Sequence, residues 1–178
     1  MRVTISSSSN DKIDEIYLNE SRKALEYLAS KGYDLNWGSG NRSIMGLSYE
    51  IFSFYNRKIY GYTTSKYADE IKDLPNATHN IYEDTFDLKK HIYNDADLVI
   101  CLPGGTGTVS ELLAYIEESR SNDNYKEIIL YNINDHFKST LELIKDLINR
   151  NFNSEGIYDF FKVINSFEEF KNYIDKNK

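Results

Sequence analysis

Two kinds of hydrophobic pattern alternate along the chain. Short runs of apolar and β-branched residues predict strands, whereas longer segments with apolar residues every three or four positions predict amphipathic helices. The predicted strands lie at 2–5, 33–37, 58–62, 78–82, 98–102, 127–131 and 161–164. The predicted helices lie at 14–30, 44–55, 85–94, 109–120, 137–147 and 166–176. This alternation predicts an α/β fold, a doubly wound parallel sheet flanked by helices, in a single domain over residues 1–178.

The most informative stretch is 98–111, where an apolar strand runs into a glycine-rich turn. Five consecutive apolar residues are typical of a central parallel strand that is covered on both faces. Pro103 ends this strand, because it has no N–H to donate to a neighbouring strand. We expect Gly104, Gly105 and Gly107 to allow positive φ and a close approach of the backbone to a ligand.

The residues that follow add donors and an acid. Thr106 and Thr108 carry hydroxyl groups, and a helix that begins near Thr108 directs its free N–H groups back at the turn. Such an arrangement predicts an anion site, most simply a phosphate site. Glu111 is expected in the first turn of this helix, where its carboxylate faces whatever the phosphate site holds.

Two other loops also follow predicted strands. The segment 6–10 is rich in serine, and it either donates hydroxyl groups to a ligand or only caps the next helix. The segment 38–46 is a second glycine-containing turn, in which Arg42 is either an anion ligand or a solvated side chain. Ligands of doubly wound sheets bind at the carboxyl ends of the strands, near the switch point. We therefore expect these loops and the turn after Pro103 to converge on one pocket.

Composition narrows the classes of function. The net charge of −7 argues against non-specific nucleic-acid binding, which needs a basic surface. The one cysteine, Cys101, excludes an internal disulfide, and no leader or membrane-spanning pattern is visible, so we expect a cytoplasmic protein that engages neither nucleic acid nor membrane. The three histidines, at positions 79, 91 and 136, lie on different predicted elements and are expected to be structural or on the surface.

Residues 103–111 resemble the PGGxGTxxE signature of the Lonely Guy (LOG) family, also labelled lysine decarboxylases. Residues 38–46 are similar to the family's GGGxxGLMG stretch, with Ser39 and Ser43 where glycine is usual. Ser7 and Ser8 match the paired serines after the first strand. The resemblance covers nearly the whole chain and implies a Rossmann-like fold.

The resemblance implies a nucleoside 5'-monophosphate phosphoribohydrolase, which releases free base and ribose 5-phosphate, as the cytokinin riboside monophosphate enzymes do. It implies that Glu111 stabilises an oxocarbenium-like transition state and orients or deprotonates the attacking water. It requires no cofactor and no metal, and it implies a homodimer or higher homo-oligomer. The residues implied in phosphate or nucleotide binding are Ser7, Ser8, Gly38, Ser39, Gly40, Met45, Gly104, Gly105, Thr106, Gly107 and Thr108.

One departure from the family concerns a cation. The family has an Arg–Lys pair on the helix before the central strand, and an ungapped count from Pro103 puts Leu88 at the arginine and Lys89 at the lysine. Lys89 or Lys90 could supply the positive charge, and Lys89, at the family's lysine position, is therefore the second candidate catalytic residue. Arg42 and Arg120 are possible substitutes for the arginine. The alternative function is a non-catalytic binder of a nucleotide or phosphorylated cofactor, similar to molybdenum-cofactor carriers or ligand sensors. A deoxyribosyl transferase is a third interpretation, which the phosphate loop disfavours.

Overall fold

A computed structural model describes residues 1–121 and 125–176, and within these ranges seven parallel strands form one sheet. The strands are β1 (Arg2–Ser6), β2 (Asp34–Trp37), β3 (Ile59–Thr64), β4 (Thr78–Tyr82), β5 (Leu98–Cys101), β6 (Glu127–Tyr131) and β7 (Lys162–Ile164). The helices are α1 (Glu15–Ser30), α2 (Ser43–Phe54), α3 (Thr85–Asn94), α4 (Thr106–Ser121), α5 (Lys138–Asn149) and α6 (Phe167–Lys176). The predicted α/β class with a parallel sheet is confirmed.

The order of the strands is β4-β3-β2-β1-β5-β6-β7. From β1 the chain builds the sheet in one direction as far as β4, and it then returns to the other side of β1 with β5. The pair β1–β5 is therefore the switch point of the sheet, with Val3 opposite Leu98 and Ser6 opposite Cys101. Because these strands are parallel, the loops that leave their carboxyl ends lie side by side.

Helices cover both faces of the sheet. Along β5, Leu98 and Ile100 contact the cluster under α1, α2 and α6, whereas Val99 and Cys101 contact the cluster under α3, α4 and α5. Successive side chains of a strand point to opposite faces, so a strand buried on both sides reads as a continuous apolar run. None of the helices in the described ranges is long and apolar enough to span a bilayer.

Most predicted elements lie within a few residues of the observed ones, and the main correction concerns α4. This helix begins at Thr106, not near Thr108, because the carbonyl of Gly105 already accepts the N–H of Val109 at 3.1 Å. Glu111 therefore lies in the second turn of α4, not in the first. The polar residues at 121–124 predict a turn after this helix, but 122–124 lie outside the described residues.

The spacing of Ser166 and Glu169 predicts a capping box at the start of α6, and the observed bonds differ slightly from it. Ser166 accepts the N–H of Glu169 at 3.2 Å, as a helix cap should. The carboxylate of Glu169, however, accepts the N–H of Asn165 at 2.8 Å and not that of Ser166, so the reciprocal bond of a capping box is moved by one residue. For α3, the sequence predicts Asp84 as the N-cap, and this prediction is confirmed: Asp84 accepts the N–H groups of Phe86 and Asp87.

The left-handed backbone of the glycine-rich loops falls on serines. Gly104, Gly105 and Gly107 all lack positive φ, contrary to expectation. These glycines therefore contribute through the space that a missing Cβ leaves. Ser39 and Ser43 have φ of 58° and 53°, a region in which an L-residue is strained. The two serines at expected glycine positions thus keep the glycine conformation.

Substitution Ser43→Gly should stabilise the fold by about 0.5–1 kcal/mol, because it relieves left-handed strain and removes a buried hydroxyl that has no hydrogen-bond partner. The amide of Ser43, which donates to Asp11 at 2.9 Å, is kept. The measurement is denaturant unfolding. Ser53→Gly is the matched control: its hydroxyl is also buried and unpaired, but its backbone is helical. The control should lose about 1 kcal/mol; equal effects of the two substitutions would contradict the argument.

Candidate functional site

The loops after β1 and β5 meet at the switch point and enclose a cleft of about 370 Å³. Backbone bonds hold them together: Ser8 donates its N–H to the carbonyl of Pro103 at 3.0 Å, and Leu102 donates to Ser6 at 2.9 Å. The lining residues are Ser7, Ser8, Ser9, Asn10, Ile13, Tyr17, Pro103, Gly104, Gly105, Thr106, Gly107, Thr108 and His136. Of the predicted binding residues, Ser7, Ser8 and 104–108 are therefore brought together.

The floor of the cleft is shaped by the missing side chains of its glycines. A Cβ on Gly104 would lie 2.1 Å from the Thr108 hydroxyl and 3.1 Å from the backbone of Ser7, so only glycine fits there. A Cβ on Gly105 or Gly107 would meet nothing within 4 Å, and at those positions the space belongs to the open cleft. The first N–H groups of α4 and its positive dipole end face this space, which favours an anion.

Ser7 contributes a hydroxyl that the protein itself does not use. Its Oγ is buried and has no hydrogen-bond partner among the described residues, although the residue lines the cleft. Ser8 differs, since its Oγ accepts the N–H of Asn10 at 3.0 Å and so shapes the segment. A buried polar atom without a partner costs free energy, and a ligand in the cleft would supply the missing bond.

Glu111 lies one helical turn beyond Gly107 and on the same side of α4, about 6 Å further along the helix axis. Its carboxylate accepts a hydrogen bond from the Ser6 hydroxyl at the end of β1. Burial raises the pKa of Glu111 above its usual value, while the Ser6 bond and the charge of Lys89 oppose that rise. The arrangement holds a carboxyl group behind the anion cradle with its proton affinity increased.

Lys89 is the cation that lies near this acid. Its Nζ donates to Ser110 Oγ at 2.7 Å, one residue before Glu111. Leu88 packs half-buried against the apolar cluster between α3 and the sheet. Arg42 is exposed at the start of α2, and Arg120 pairs with Glu117 at 2.8 Å about 13 Å further along α4 than Glu111. Of Lys89, Arg42 and Arg120, Lys89 is therefore the best placed to act on Glu111.

The second glycine loop supports the cleft from outside its lining. The Met45 methyl packs against Gly38 and Gly40, where an added Cβ would lie 2.8 and 2.9 Å from it, and the Met45 N–H donates to the Ser8 carbonyl at 3.1 Å. Ser39 is buried, with its Oγ 3.5 Å from Nδ1 of His79. Of the predicted binding residues, Gly38, Ser39, Gly40 and Met45 are thus the ones that the structure does not bring into the cleft.

His136 lines the cleft, whereas the sequence predicts it to be structural or on the surface. It follows β6 and a 3₁₀ segment, Ile133–Asp135, in which Asn134 and Asp135 have φ of 49° and 55°. Its Nε2 contacts Gly104, and its ring meets the edge of Tyr17 at 5.3 Å between centroids. The available signal was topological: β6 neighbours β5, so the loop after β6 must emerge beside the Pro103 turn.

Together, fold and cleft define a Rossmann-like α/β protein with its candidate site at the switch point of a parallel sheet. A family model described as "Possible lysine decarboxylase" matches residues 45–174. The chain belongs to this family, the LOG family, as the PGGxGTxxE resemblance predicted. Across residues 1–121 and 125–176, no group of three or more His, Cys, Asp or Glu side chains is arranged to hold a metal ion.

Two relatives illustrate the similarity. The probable cytokinin riboside 5'-monophosphate phosphoribohydrolase LOG4 of Oryza sativa subsp. japonica is 26% identical over 126 residues, covering 70% of this chain and 55% of that protein. The cytokinin riboside 5'-monophosphate phosphoribohydrolase LOG1 of Arabidopsis thaliana is 27% identical over 134 residues, covering 70% of this chain and 59% of that protein. The match thus spans less than two thirds of either relative.

Solved structures share the fold. The molybdenum cofactor binding protein of Rippkaea orientalis superposes with a TM-score of 0.72 at 19% identity, covering 99% of this chain and 96% of that one. The molybdenum cofactor carrier protein of Chlamydomonas reinhardtii gives 0.69 at 11% identity, covering 98% and 96%. At these identities the likeness establishes the architecture.

Folding raises the pKa of Glu111, because burial disfavours its charge. The ionised side chain should therefore destabilise the folded state relative to the protonated side chain. The cost is absent below the unfolded-state pKa and grows as the pH rises through the raised pKa. Glu111→Gln should therefore be more stable than wild type at neutral pH, and this difference in the free energy of unfolding should close towards pH 4. Urea unfolding across this range checks it; a gap that is constant or widens in acid would contradict it.

Proposed function

We propose that the protein hydrolyses the N-glycosidic bond of a nucleoside 5'-monophosphate, giving free base and ribose 5-phosphate. The observation that carries the proposal is the position of Glu111, a half-buried carboxyl group on α4 that lies behind the lining of the anion-type cleft, one helical turn beyond Gly107. The LOG relatives, which are named as phosphoribohydrolases of cytokinin riboside 5'-monophosphates, support the same reaction class. The base is left open.

In this proposal the two parts of the site have separate tasks. The N–H groups at the start of α4, the Thr108 hydroxyl and the unpartnered Ser7 hydroxyl hold the 5'-phosphate. Positive charge develops on the ribose as the bond to the base breaks, and the Glu111 carboxylate stabilises it and orients or deprotonates the attacking water. Ser6 fixes the direction of that carboxylate by donating to it.

The proposal predicts release of free base from at least one of AMP, GMP, CMP, UMP or their deoxy forms, measured by product chromatography. Glu111→Gln should lower the turnover by about 10²–10⁴-fold, because it removes the base and the negative charge but keeps the shape. Glu117→Gln, a matched change on the exposed part of α4, should keep full activity. Absence of base release with every monophosphate would remove the hydrolase function.

Lys89 supplies a second test, through the pH profile. Its charge lowers the pKa of Glu111 against the effect of burial, so Lys89→Met should raise that pKa. The reaction needs the ionised carboxylate, so activity should increase as the pH rises through the pKa of Glu111. In the Lys89→Met variant this increase should occur at a higher pH than in wild type. Lys90→Met changes the exposed neighbouring lysine and should leave the profile in place. If the acidic side of the pH–activity profile is the same for wild type and Lys89→Met, the proposed role of Lys89 is contradicted.

The second candidate is a non-catalytic binder of a nucleotide or phosphorylated cofactor. Its support is Leu88, which stands at the usual arginine position and packs against the apolar core, and the carrier proteins that share the fold. It predicts a ligand-dependent rise in Tm without product. The decarboxylase in the family description is not proposed, since a pyridoxal enzyme needs a lysine for its Schiff base and the cleft lining contains none.

Assembly and location belong to the same set of proposals. We propose a homodimer or higher homo-oligomer, as the family resemblance implies; the exposed Phe54 at the end of α2 is consistent with a helix surface used between subunits. Cytoplasmic location is supported by Cys101, a buried free thiol. The net charge of −7 supports the absence of nucleic-acid binding.

A further inference from the structure

The cleft is nearly devoid of charge for a site that would hold a phosphate dianion. Its lining consists of hydroxyl groups, an amide, backbone, apolar side chains, one phenol and one imidazole, with neither lysine nor arginine among them. Among the lining residues that belong to the described part of the chain, His136 is the one whose side chain can become a cation. Histidine is also the side chain that ordinarily changes its charge between pH 5 and 8.

The contact that Nε2 of His136 makes depends on whether this nitrogen carries a proton, as it does in the cation and in one of the two neutral tautomers. Nε2 lies 3.1 Å from the backbone nitrogen of Gly104 and 2.8 Å from the carbonyl oxygen of the same residue. A single ring nitrogen can accept the N–H, when it carries a lone pair, or donate to the carbonyl, when it carries a proton. The two bonds therefore exclude each other, and the cation can make only the second.

From this geometry we infer that His136 couples binding of the ligand's phosphate to uptake of a proton. Neutral His136 with an Nε2 lone pair occupies the Gly104 N–H. Protonation of this tautomer moves the contact to the Gly104 carbonyl and releases that N–H to the cleft, and protonation of either tautomer adds a positive charge beside the anion. His136 thus serves as a proton-linked binding residue. The inference rests on the proposed function for the identity of the ligand, but it requires no turnover.

The other titratable groups around His136 are few and identifiable. The phenol of Tyr17 faces its ring from α1, and Asp135 precedes it with a carboxylate that accepts from Asn132 at 3.2 Å. Phe137 packs edge-on and carries no charge. Glu111 lies on α4 beyond the Pro103 turn, and burial raises its pKa above the usual value. A test must therefore separate His136 from Glu111.

The experiment measures the affinity for ribose 5-phosphate by calorimetry from about pH 6 to 8.5, in the Glu111→Gln background and in Glu111→Gln/His136→Gln. Ribose 5-phosphate has no glycosidic bond to a base, so binding is read without hydrolysis. Titration of the phosphate itself is common to both proteins and cancels in the ratio of their Kd values. His91→Gln in the same background, a change of an exposed histidine on α3, is the matched control.

We expect the His136→Gln protein to bind about tenfold more weakly at pH 6 and nearly equally at pH 8.5, because only the charged imidazole adds a charge-assisted bond. The His91→Gln protein should follow its parent at every pH. His136→Lys, with a charge that does not titrate in this range, should bind with little dependence on pH beyond that of the ligand. In two buffers of different ionisation enthalpy, proton uptake on binding should be larger for the parent than for His136→Gln.

Parallel affinity curves for the parent and His136→Gln, equal proton uptake, or no binding of ribose 5-phosphate at any pH would overturn the inference. Failure of the proposed function has a different signature. In that case wild type releases no base from any monophosphate, while ribose 5-phosphate still binds with the dependence on His136. Conversely, base release together with parallel curves would keep the hydrolase and remove the proton link.

Discussion

The candidate site depends on the pairing of β1 with β5 in the middle of the sheet. Val3 lies opposite Leu98 and Ser6 opposite Cys101, and this register fixes where both strands end. The serine segment and the Pro103 turn are then held together by the bonds of Ser8 and Leu102. The same pairing brings the Ser6 hydroxyl to the Glu111 carboxylate. A slip by one residue would reverse the faces of the side chains and separate both contacts.

The site combines features that favour binding with features that cost stability. Gly104 leaves room for the Thr108 hydroxyl, but Ser7 keeps a buried hydroxyl without a partner and Glu111 is a carboxyl group whose burial disfavours its charge. Left-handed strain at Ser39 lies in the adjoining loop. Natural proteins often accept such local costs at functional sites, because a cleft satisfied by its own groups would have nothing to offer a ligand.

The alternation of strands and helices, and most of their bounds, could be predicted from the sequence. The apolar run at 98–102 and the Asp84 cap carry local signals that no tertiary contact overrides. The sequence predicts that α4 starts near Thr108, which is about two residues too late. The bond from the Val109 N–H to the Gly105 carbonyl depends on how the turn folds, and this is not visible in the sequence. The glycines of that turn correctly predict a loop, but the expected positive φ is not the reason that glycine is present. Their φ values are ordinary, and what matters is the space beside Thr108.

Membership of the cleft was harder to predict than the fold. Ser7, Ser8 and the residues 104–108 line it, whereas Gly38 and Met45 pack behind the serine segment. Proximity to a strand end is readable from the sequence, but the side on which a loop passes the cleft is not. His136 shows the opposite case: nothing local in its segment points to a ligand, and only the adjacency of β6 and β5 brings it to Gly104. The roles of Glu111 and Lys89 remain predictions.

The order of the strands also determines when the cleft can form. Arg2 and Asp97, whose contact lies beside the start of the β1–β5 pair, are 95 residues apart in the chain. On the ribosome, β1 can pair with β2 as soon as β2 has emerged, while its other edge waits for β5, which follows much later in the chain. Closure over such a separation is slow, and an unpaired edge invites pairing with another chain. The β5 side of β1, which lies at the centre of the finished sheet, is therefore an exposed edge during synthesis and is open to pairing with another chain.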